Sequence, residues 1–478
     1  MSVSKISVEL FKQDGPHFKP HSEHPPAQRL KNVLAFLATS SKSSILSPKG
    51  NQSACFSTSN AKFLNRDHSS NAIIHVAMSG GVDSAVAAHI LIKSGHNPKN
   101  LKPIYFKTGF DLDHIDHQQN LPSKPLIKTN CQWKKDWNDL LIICRQLSIS
   151  EPQLVDLSKD YWNQVWLPCL DSWENGQTPN VDILCNRFIK FGIVAQKVFQ
   201  NNPNSLLATG HYARIQYNSS LKLFQANDKL KDQSYFLSMV SPSILKRTIF
   251  PIGHLSKLEV RKIATKLGLI NSNKPESMGI CLVEPTLPKG HFHKFLAEHL
   301  NDNPGKILSK DGKILGNHQG LWRYTIGQRC RIPSQSFKMF VSAKDPNQNT
   351  LNVVPGYNHP DLYSQIVYCD NFFWIRPILN QTNQPIEINL LARLRKGQLE
   401  LMPCKVQMVA IKNQDKKVEK TTLRVELEKP EHGVALAQVL VLQSGEEVLG
   451  GGLIDMTFRD HHHEQQQQDS RSYLGRGI

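Results

Sequence analysis

One hexapeptide, Ser79-Gly80-Gly81-Val82-Asp83-Ser84, constrains this chain more than any other stretch, because an apolar run from Ala72 to Met78 enters it and a helical pattern leaves it. Ile73, Ile74, Val76 and Met78 have the β-branched and apolar character of a buried parallel strand. Ala85, Val86, Ala87, Ala88, Ile90, Leu91 and Ile92 suit a core-facing helix that stops near Gly95. The loop between them therefore lies at a strand's carboxyl end. Its two glycines permit a tight turn that presents backbone N–H groups to an anion, and the helix start adds partial positive charge at the same place. The hydroxyls of Ser79 and Ser84 can donate to phosphate oxygens.

A phosphoryl-transfer loop reads G-x-x-x-x-G-K-S/T and supplies a lysine for the terminal phosphates. No such string occurs here. S-G-G-x-D-S instead resembles the pyrophosphate-binding loop of the ATP pyrophosphatase group, whose members cut ATP between the α and β phosphates to adenylate a substrate oxygen. The resemblance implies ATP, accompanied by Mg2+, as co-substrate, and AMP and pyrophosphate as products.

At 478 residues the chain exceeds one hydrophobic core and predicts about three domains. Lys and Arg outnumber Asp and Glu by 17. Nine basic and three acidic residues among the first 66 leave +6 there, so +11 stays in the body. A basic body fits a partner rich in phosphate. No stretch approaches the ~18 consecutive apolar residues of a membrane span, so no membrane partner is expected. The nine cysteines (55, 131, 144, 169, 185, 281, 330, 369, 404) are odd in number and contain no C-x-x-C pair. Reduced, reactive thiols are expected, with no zinc knuckle, secreted disulfide framework or protein-ligated metal.

From His24 to Arg66 there is no acidic residue, six Lys and Arg occur, and serines cluster at Ser40 to Ser47 and Ser53 to Ser59. That composition resembles a mitochondrial transit peptide, with Arg29 to Leu37 as its amphipathic part, although Glu9, Asp14 and Glu23 precede it. Residues 1–70 are accordingly expected to be a disordered leader and the mature protein to work in the mitochondrial matrix. At the other end, residues 459–478 are expected to be a disordered tail, and the His461 to Gln468 tract within it is assigned no metal.

Between leader and tail, Lys102 to Lys107, Gln153 to Leu157 and Leu206 to Ala208 read as strands, and Trp133 to Leu147 and Lys257 to Gly268 as helices. Alternating strands and helices predict an α/β fold, a doubly wound parallel sheet of the ATP pyrophosphatase type, over residues 71–275. Loops at the strands' carboxyl ends, after Met78, Phe106 and Ala208, should converge on ATP. Past Pro275 the texture turns to Gly, Pro and short β-prone runs, predicting a small mixed central domain over 276–362. Alternating strands at Ile386 to Arg395, Cys404 to Ile411, Leu423 to Leu427 and Ala437 to Leu442 predict a C-terminal β-barrel over 363–458.

Two further segments carry chemistry. In Thr178-Pro179-Asn180-Val181-Asp182-Ile183-Leu184-Cys185-Asn186, Asp182 precedes Cys185 by three residues, so both share a face of one helical turn. The carboxylate can shuttle a proton, and Arg187 and Lys190 can favour a thiolate. Glu276-Ser277-Met278-Gly279-Ile280-Cys281-Leu282 places a second thiol at the domain junction. Either cysteine alone reads as a small buried apolar residue.

These segments, with residues 79–84, Ala208-Thr209-Gly210-His211-Tyr212-Ala213-Arg214, Lys231-Asp232-Gln233-Ser234-Tyr235-Phe236-Leu237 and Tyr324-Thr325-Ile326-Gly327-Gln328-Arg329, occur in an order that resembles the tRNA-specific 2-thiouridylase family over about Ile73 to Leu453. With its leader the chain looks like a mitochondrial, fungal-like member. The resemblance implies adenylation of O2 of a tRNA wobble uridine, then sulfur transfer to C2 from a persulfide on Cys281, loaded by a cysteine desulfurase or relay protein. Cys185 would resolve the persulfide by forming a disulfide with Cys281, and Asp182 would serve as acid and base. Family correspondence further places Ala77, Met78, Ser79, Gly80, Gly81, Val82, Asp83, Ser84, Phe106 and Gly210 at ATP. It places Asn180, Val181, Asp182, His211, Lys231, Asp232, Gln233, Arg393, Leu394 and Gln438 at the target base or tRNA. The chain departs from the family pattern where Val181 replaces proline, Met278 replaces glutamine, Phe106 replaces methionine, and Leu436-Ala437-Gln438 replaces Pro-Gly-Gln. Competing readings are another adenylating enzyme of the ATP pyrophosphatase group (an amidotransferase or a lysidine-forming tRNA enzyme), or a non-catalytic RNA-binding protein.

Overall fold

The computed structural model describes residues 72–108, 132–217, 220–275, 291–378, 386–412, 419–460 and 463. The leader, most of the tail, and Met278 and Cys281 lie outside them.

The α/β layer is built on a five-stranded sheet in the order β3-β2-β1-β4-β7, comprising β1 (Ile74–Ala77), β2 (Leu101–Lys107), β3 (Gln153–Asp156), β4 (Leu206–Thr209) and β7 (Thr248–Ile249). Every pairing in it is parallel. Chain order reverses beside β1, which pairs with β2 on one side and β4 on the other, so a crevice opens at their carboxyl ends. The predicted helices are present as α1 (Val82–Lys93) and α2 (Gln132–Gln146). Ile74, Val76, Ala85, Val86 and Leu91 are fully buried together with Leu140 and Ile143 of α2, as expected of a strand and helices covered by a layer on each side.

A sequence reading for strands passes over the helical block between β3 and β4. Leu167–Glu174 (α3), Val181–Leu184 (α4), a ten-residue π-helical run Cys185–Val194, and Ala195–Asn201 (α5) surround an aromatic core of Trp166, Trp173 and Phe295. A second helix of the expected pair, Lys257–Lys266, is closed at its start by a capping box in which Ser256 and Glu259 satisfy each other's backbone N–H groups.

Two strands inside the α/β part of the chain do not join its sheet. β5 (Ala213–Tyr217) and β6 (Leu221–Gln225) form a hairpin, and β6 pairs antiparallel with β18 (Glu447–Phe458) near the C-terminus. The barrel is made of β13 (Tyr363–Trp374), β16 (Glu419–His432), β15 (Met402–Lys412), β14 (Ile386–Arg393), β17 (Val439–Ser444) and β18, closed by pairing of β13 with β18. Closure removes the open edges. One core spans this junction: Ile183, Phe191 and Leu207 pack with Leu221 and Leu223 of the hairpin and Val439, Val441 and Val448 of the barrel. Between these parts, β8 (Gly305–Ser309), β9 (Ile314–His318), β10 (Arg329–Cys330), β11 (Met339–Asp345) and β12 (Thr350–Pro355) form a separate sheet in the order β10-β11-β12-β8-β9.

Candidate active site

The phosphate loop sits where the topology requires it, between β1 and α1 at the crevice. Gly80 has φ +70, and a Cβ there would stand 2.7 Å from the Asp136 carbonyl oxygen of α2, so conformation and space both demand glycine. No side chain caps Gly81, which leaves the positive end of α1 to an anion. The Ser84 hydroxyl donates to the Gly81 carbonyl at 3.0 Å and accepts from the Ser79 N–H at 3.3 Å, bracing the loop across its mouth. Met78 is buried and donates its N–H to the Ile104 carbonyl.

Asp83 faces the protein. Its carboxylate accepts from the Lys257 ammonium at 2.6 and 2.7 Å and from the Tyr212 hydroxyl at 2.8 Å. Gly210 permits this, since a Cβ there would stand 2.8 Å from the Asp83 carbonyl carbon and the Ser84 nitrogen. The first turn of α1, the exit of β4 and the Lys257–Lys266 helix are thereby locked together. Tyr212 belongs to the loop after Ala208 that the sequence brings to the nucleotide, whereas Lys257 opens a predicted helix but carries no sequence signal as a partner of the phosphate loop.

The segment bearing Asp182 and Cys185 lies in the helical block beside the same crevice. Asn180 caps α4 by accepting from the Ile183 N–H at 3.2 Å, and Val181 takes the first helical position, where proline is favoured, with its side chain buried. Asp182 is largely buried, and burial pushes its carboxyl above the usual range while Lys190 and Lys396 pull it back. Cys185 is 3% exposed and packs with Val181, Ile189, Trp166 and Trp322. Phe106, from the carboxyl end of β2, touches that same cluster. The structure thus joins the nucleotide side of the crevice to Cys185 through one apolar contact surface.

Several residues expected at tRNA hold the domains together instead. Arg393 and Asp232 form an ion pair at 2.6 Å with side chains 4% and 2% exposed. Asp232 also accepts from the N–H groups of Ala226 and Ser234 and from the Ser234 hydroxyl. Leu394 is buried in the barrel core. Gln233 accepts from the Tyr212 N–H at 2.9 Å. Gln438 donates to the Thr178 carbonyl at 2.6 Å, and the Thr178 N–H donates to the Leu436 carbonyl at 3.0 Å. Thr178 is therefore grasped on both sides by the barrel, two residues before Asn180. His211 lies between the Phe191 and Phe250 rings with Nδ1 2.8 Å from the Thr209 hydroxyl; burial, with Lys190 adding to it, pulls its imidazole down to about 3. It is neutral at physiological pH. Lys231 occupies the turn that follows Asp228, with its N–H donating to the Asp228 carbonyl at 3.1 Å.

Among the described residues no group of three or more His, Cys, Asp or Glu could hold a metal, and no helix is long and apolar enough to cross a membrane.

Comparison with known proteins matches the described architecture domain by domain. Residues 72–285 match the tRNA methyl transferase HUP domain, 293–355 the tRNA methyl transferase PRC-barrel domain, and 364–454 the aminomethyltransferase beta-barrel domain. The tRNA-specific 2-thiouridylase MnmA of Coxiella burnetii (strain RSA 493 / Nine Mile phase I) is 36% identical over 392 residues, covering 80% of this chain and 98% of that protein. The enzyme of the same name from Staphylococcus aureus (strain MSSA476) is 33% identical, covering 80% and 95%. A solved U34-tRNA thiolase, NcsA from Methanococcus maripaludis, is 17% identical over 50% of this chain and 68% of that one, with a TM-score of 0.29, too low to carry argument. On the three domain matches and the near-complete coverage of relatives above 30% identity, this chain belongs to the tRNA-specific 2-thiouridylase family.

Proposed function

We propose that this protein replaces O2 of the wobble uridine of a tRNA with sulfur, using ATP. The observation that supports the reading is an uncapped helix start behind a glycine turn at the carboxyl end of β1, with Phe106 at the end of the neighbouring β2 packed against the cluster that holds Cys185. The loop amides receive the β- and γ-phosphates, because the Asp83 side chain is already committed to Lys257 and Tyr212. Mg2+ accompanies the nucleotide rather than sitting on a protein ligand set. Uridine O2 attacks the α-phosphorus and pyrophosphate leaves, which converts O2 into part of an AMP leaving group.

Cys281 delivers the terminal sulfur of a persulfide to C2, and AMP departs. Cys185 then attacks the inner sulfur of the Cys281 persulfide, forming a disulfide and freeing the thiocarbonyl; a two-electron thiol reductant restores both thiols. Asp182 moves the proton, its carboxyl raised by burial. Since Cys185 is buried here, attack requires the π-helical run that begins at Cys185 to shift, a kind of irregularity that often marks functional sites. The persulfide comes from a cysteine desulfurase or a relay protein, and the basic leader directs the chain to the mitochondrial matrix.

Mass analysis of tRNA nucleosides from cells lacking the protein tests the reading: 2-thiouridine should vanish from organellar tRNA, and unchanged levels would refute it. With purified protein, Cys185→Ser and Cys281→Ser should each abolish thiolation while ATP cleavage to AMP and pyrophosphate in the presence of tRNA continues. Full tRNA-modifying activity in both variants would refute the two-thiol mechanism and favour another adenylating chemistry.

A further inference from the structure

The backbone carbonyl of Gly80 accepts two hydrogen bonds from outside its own loop. Asn271 Nδ2 donates at 3.1 Å and Lys274 Nζ at 3.3 Å. Asn271 is 2% exposed, and its position is fixed by the turn that follows the Lys257–Lys266 helix, where Arg261 donates to the carbonyls of Ser272 and Lys274. Lys274 also contacts Asp136 and Asp139 of α2, each at 2.7 Å. Its cation is therefore neutralised by two carboxylates before it reaches the loop, and it acts on the carbonyl as a hydrogen-bond donor rather than as a phosphate ligand. Asp136 closes the circuit, because its own carbonyl oxygen bounds the space beside Gly80.

A trans peptide fixes C=O and N–H in opposite directions. Donors that seize the Gly80 carbonyl thus dictate where the Gly81 N–H points, namely away from α2 and toward the crevice in front of α1. A Gly-Gly peptide has little intrinsic preference for either orientation and can flip, turning a donor toward the anion into an acceptor that repels it. We infer that Asn271 and Lys274 are positioning residues that lock the Gly80–Gly81 peptide with its N–H toward the nucleotide's phosphates. This role needs no contact with substrate, since both side chains act on the Gly80 carbonyl. The inference rests on the reading of residues 79–84 as the pyrophosphate cradle, and goes beyond it by assigning the residues that set the cradle's polarity.

Calorimetric titration of the full-length protein with inorganic pyrophosphate, with ATP and separately with tRNA tests it. Asn271→Leu keeps the approximate size of the side chain and removes the donor without adding charge; Lys274→Met is combined with Asp136→Asn and Asp139→Asn so that no carboxylate is stranded. Each should weaken pyrophosphate at least tenfold while tRNA affinity stays within twofold, and Lys274→Arg should recover most of the loss. Pyrophosphate binding within twofold of the parent in both variants would overturn the inference, as would parallel loss of pyrophosphate and tRNA, which marks general damage to the fold. If the parent protein binds neither pyrophosphate nor ATP, the proposed function fails first, so the two failures are distinct.

Discussion

The phosphate loop and the segment from Asn180 to Cys185 border one crevice, yet they are held in opposite ways. Every contact described for the loop comes from the α/β layer: Asn271 and Lys274 on the Gly80 carbonyl, Lys257 and Tyr212 on Asp83, and the backbone of Asp136 against Gly80. The Asn180 segment depends on all three parts of the chain. Thr178 is grasped by Leu436 and Gln438 of the barrel, Gly176 lies against Leu321 and Lys344 of the central domain, and Cys185 shares a buried cluster with Trp322. An anion cradle can be built locally from a turn and a helix end, whereas a carboxylate and a thiol that must meet a large substrate are placed by assembling domains around them.

The comparison breaks most easily at the junction. Arg393→Ala leaves the Asp232 carboxylate buried without its cation, and removing one partner of a buried pair costs about 3–5 kcal/mol. Chemical denaturation should show that loss together with a fall in thiolation, while ATP binding to whatever remains folded should change little. Equal loss of both would mean that the loop too relies on the barrel.

Gly80→Ala probes the other side. A left-handed backbone costs a non-glycine residue roughly 1–2 kcal/mol, and the 2.7 Å approach to the Asp136 carbonyl adds a backbone clash that no side-chain rotation relieves. The KM for ATP should rise at least tenfold with tRNA affinity unchanged; a variant with normal ATP kinetics would remove residues 79–84 from the nucleotide site.

That division also explains what could be read in advance. The β1–loop–α1 unit, α2 and the Lys257–Lys266 helix are visible in sequence because local apolar period and glycine placement determine them. The docking of the hairpin Ala213–Tyr217 and Leu221–Gln225 onto the barrel is not, because the strand that β6 joins lies more than two hundred residues away and local pattern carries no record of that pairing. For the same reason the Arg393–Asp232 pair is not legible: family correspondence sets both residues at tRNA, and only the fold shows that the two charges neutralise each other in the interior. Of the helical block only the turn through Asp182 and Cys185 is legible, because the apolar period is broken by two π-helical stretches, Trp162–Trp166 and Cys185–Val194.

A smaller effect is expected from pH. His211 is held neutral between Phe191 and Phe250, with its imidazole pulled from 6.5 to about 3 by burial and then by Lys190. Because the folded value lies below the unfolded one, the unfolded chain binds the extra proton. The stability contributed by neutral His211 is therefore complete above pH ~6.5 and is lost progressively as pH falls toward 3. His211→Phe should flatten the acid side of a stability-versus-pH curve measured by denaturant unfolding; an unchanged slope between pH 6.5 and 4 would place the acid sensitivity elsewhere.

The smallest effect sharpens the comparison from the barrel side. Where the family pattern has Pro-Gly-Gln, this chain has Leu436-Ala437-Gln438, and Ala437 adopts φ +63, a conformation that glycine takes without strain. The strain sits between the two residues that grasp Thr178, and its neighbouring bonds, Ala437 N–H to the Ile454 carbonyl at 2.9 Å and Ile454 N–H to the Gln438 carbonyl at 2.8 Å, hold it in place. Ala437→Gly relieves roughly 1–2 kcal/mol of left-handed strain and gives back about 0.4–1 kcal/mol through a more flexible unfolded chain, so a net stabilisation near 0.5–1 kcal/mol is expected. Thiolation should be unchanged or slightly faster, because the grasp on Thr178 is kept. Gln438→Ala, by contrast, should lower kcat for thiolation several-fold while leaving the KM for ATP alone. If Ala437→Gly instead destabilises the protein, the left-handed turn is not where this barrel stores its strain, and the clasp on Thr178 must be set by the β17 and β18 strands themselves.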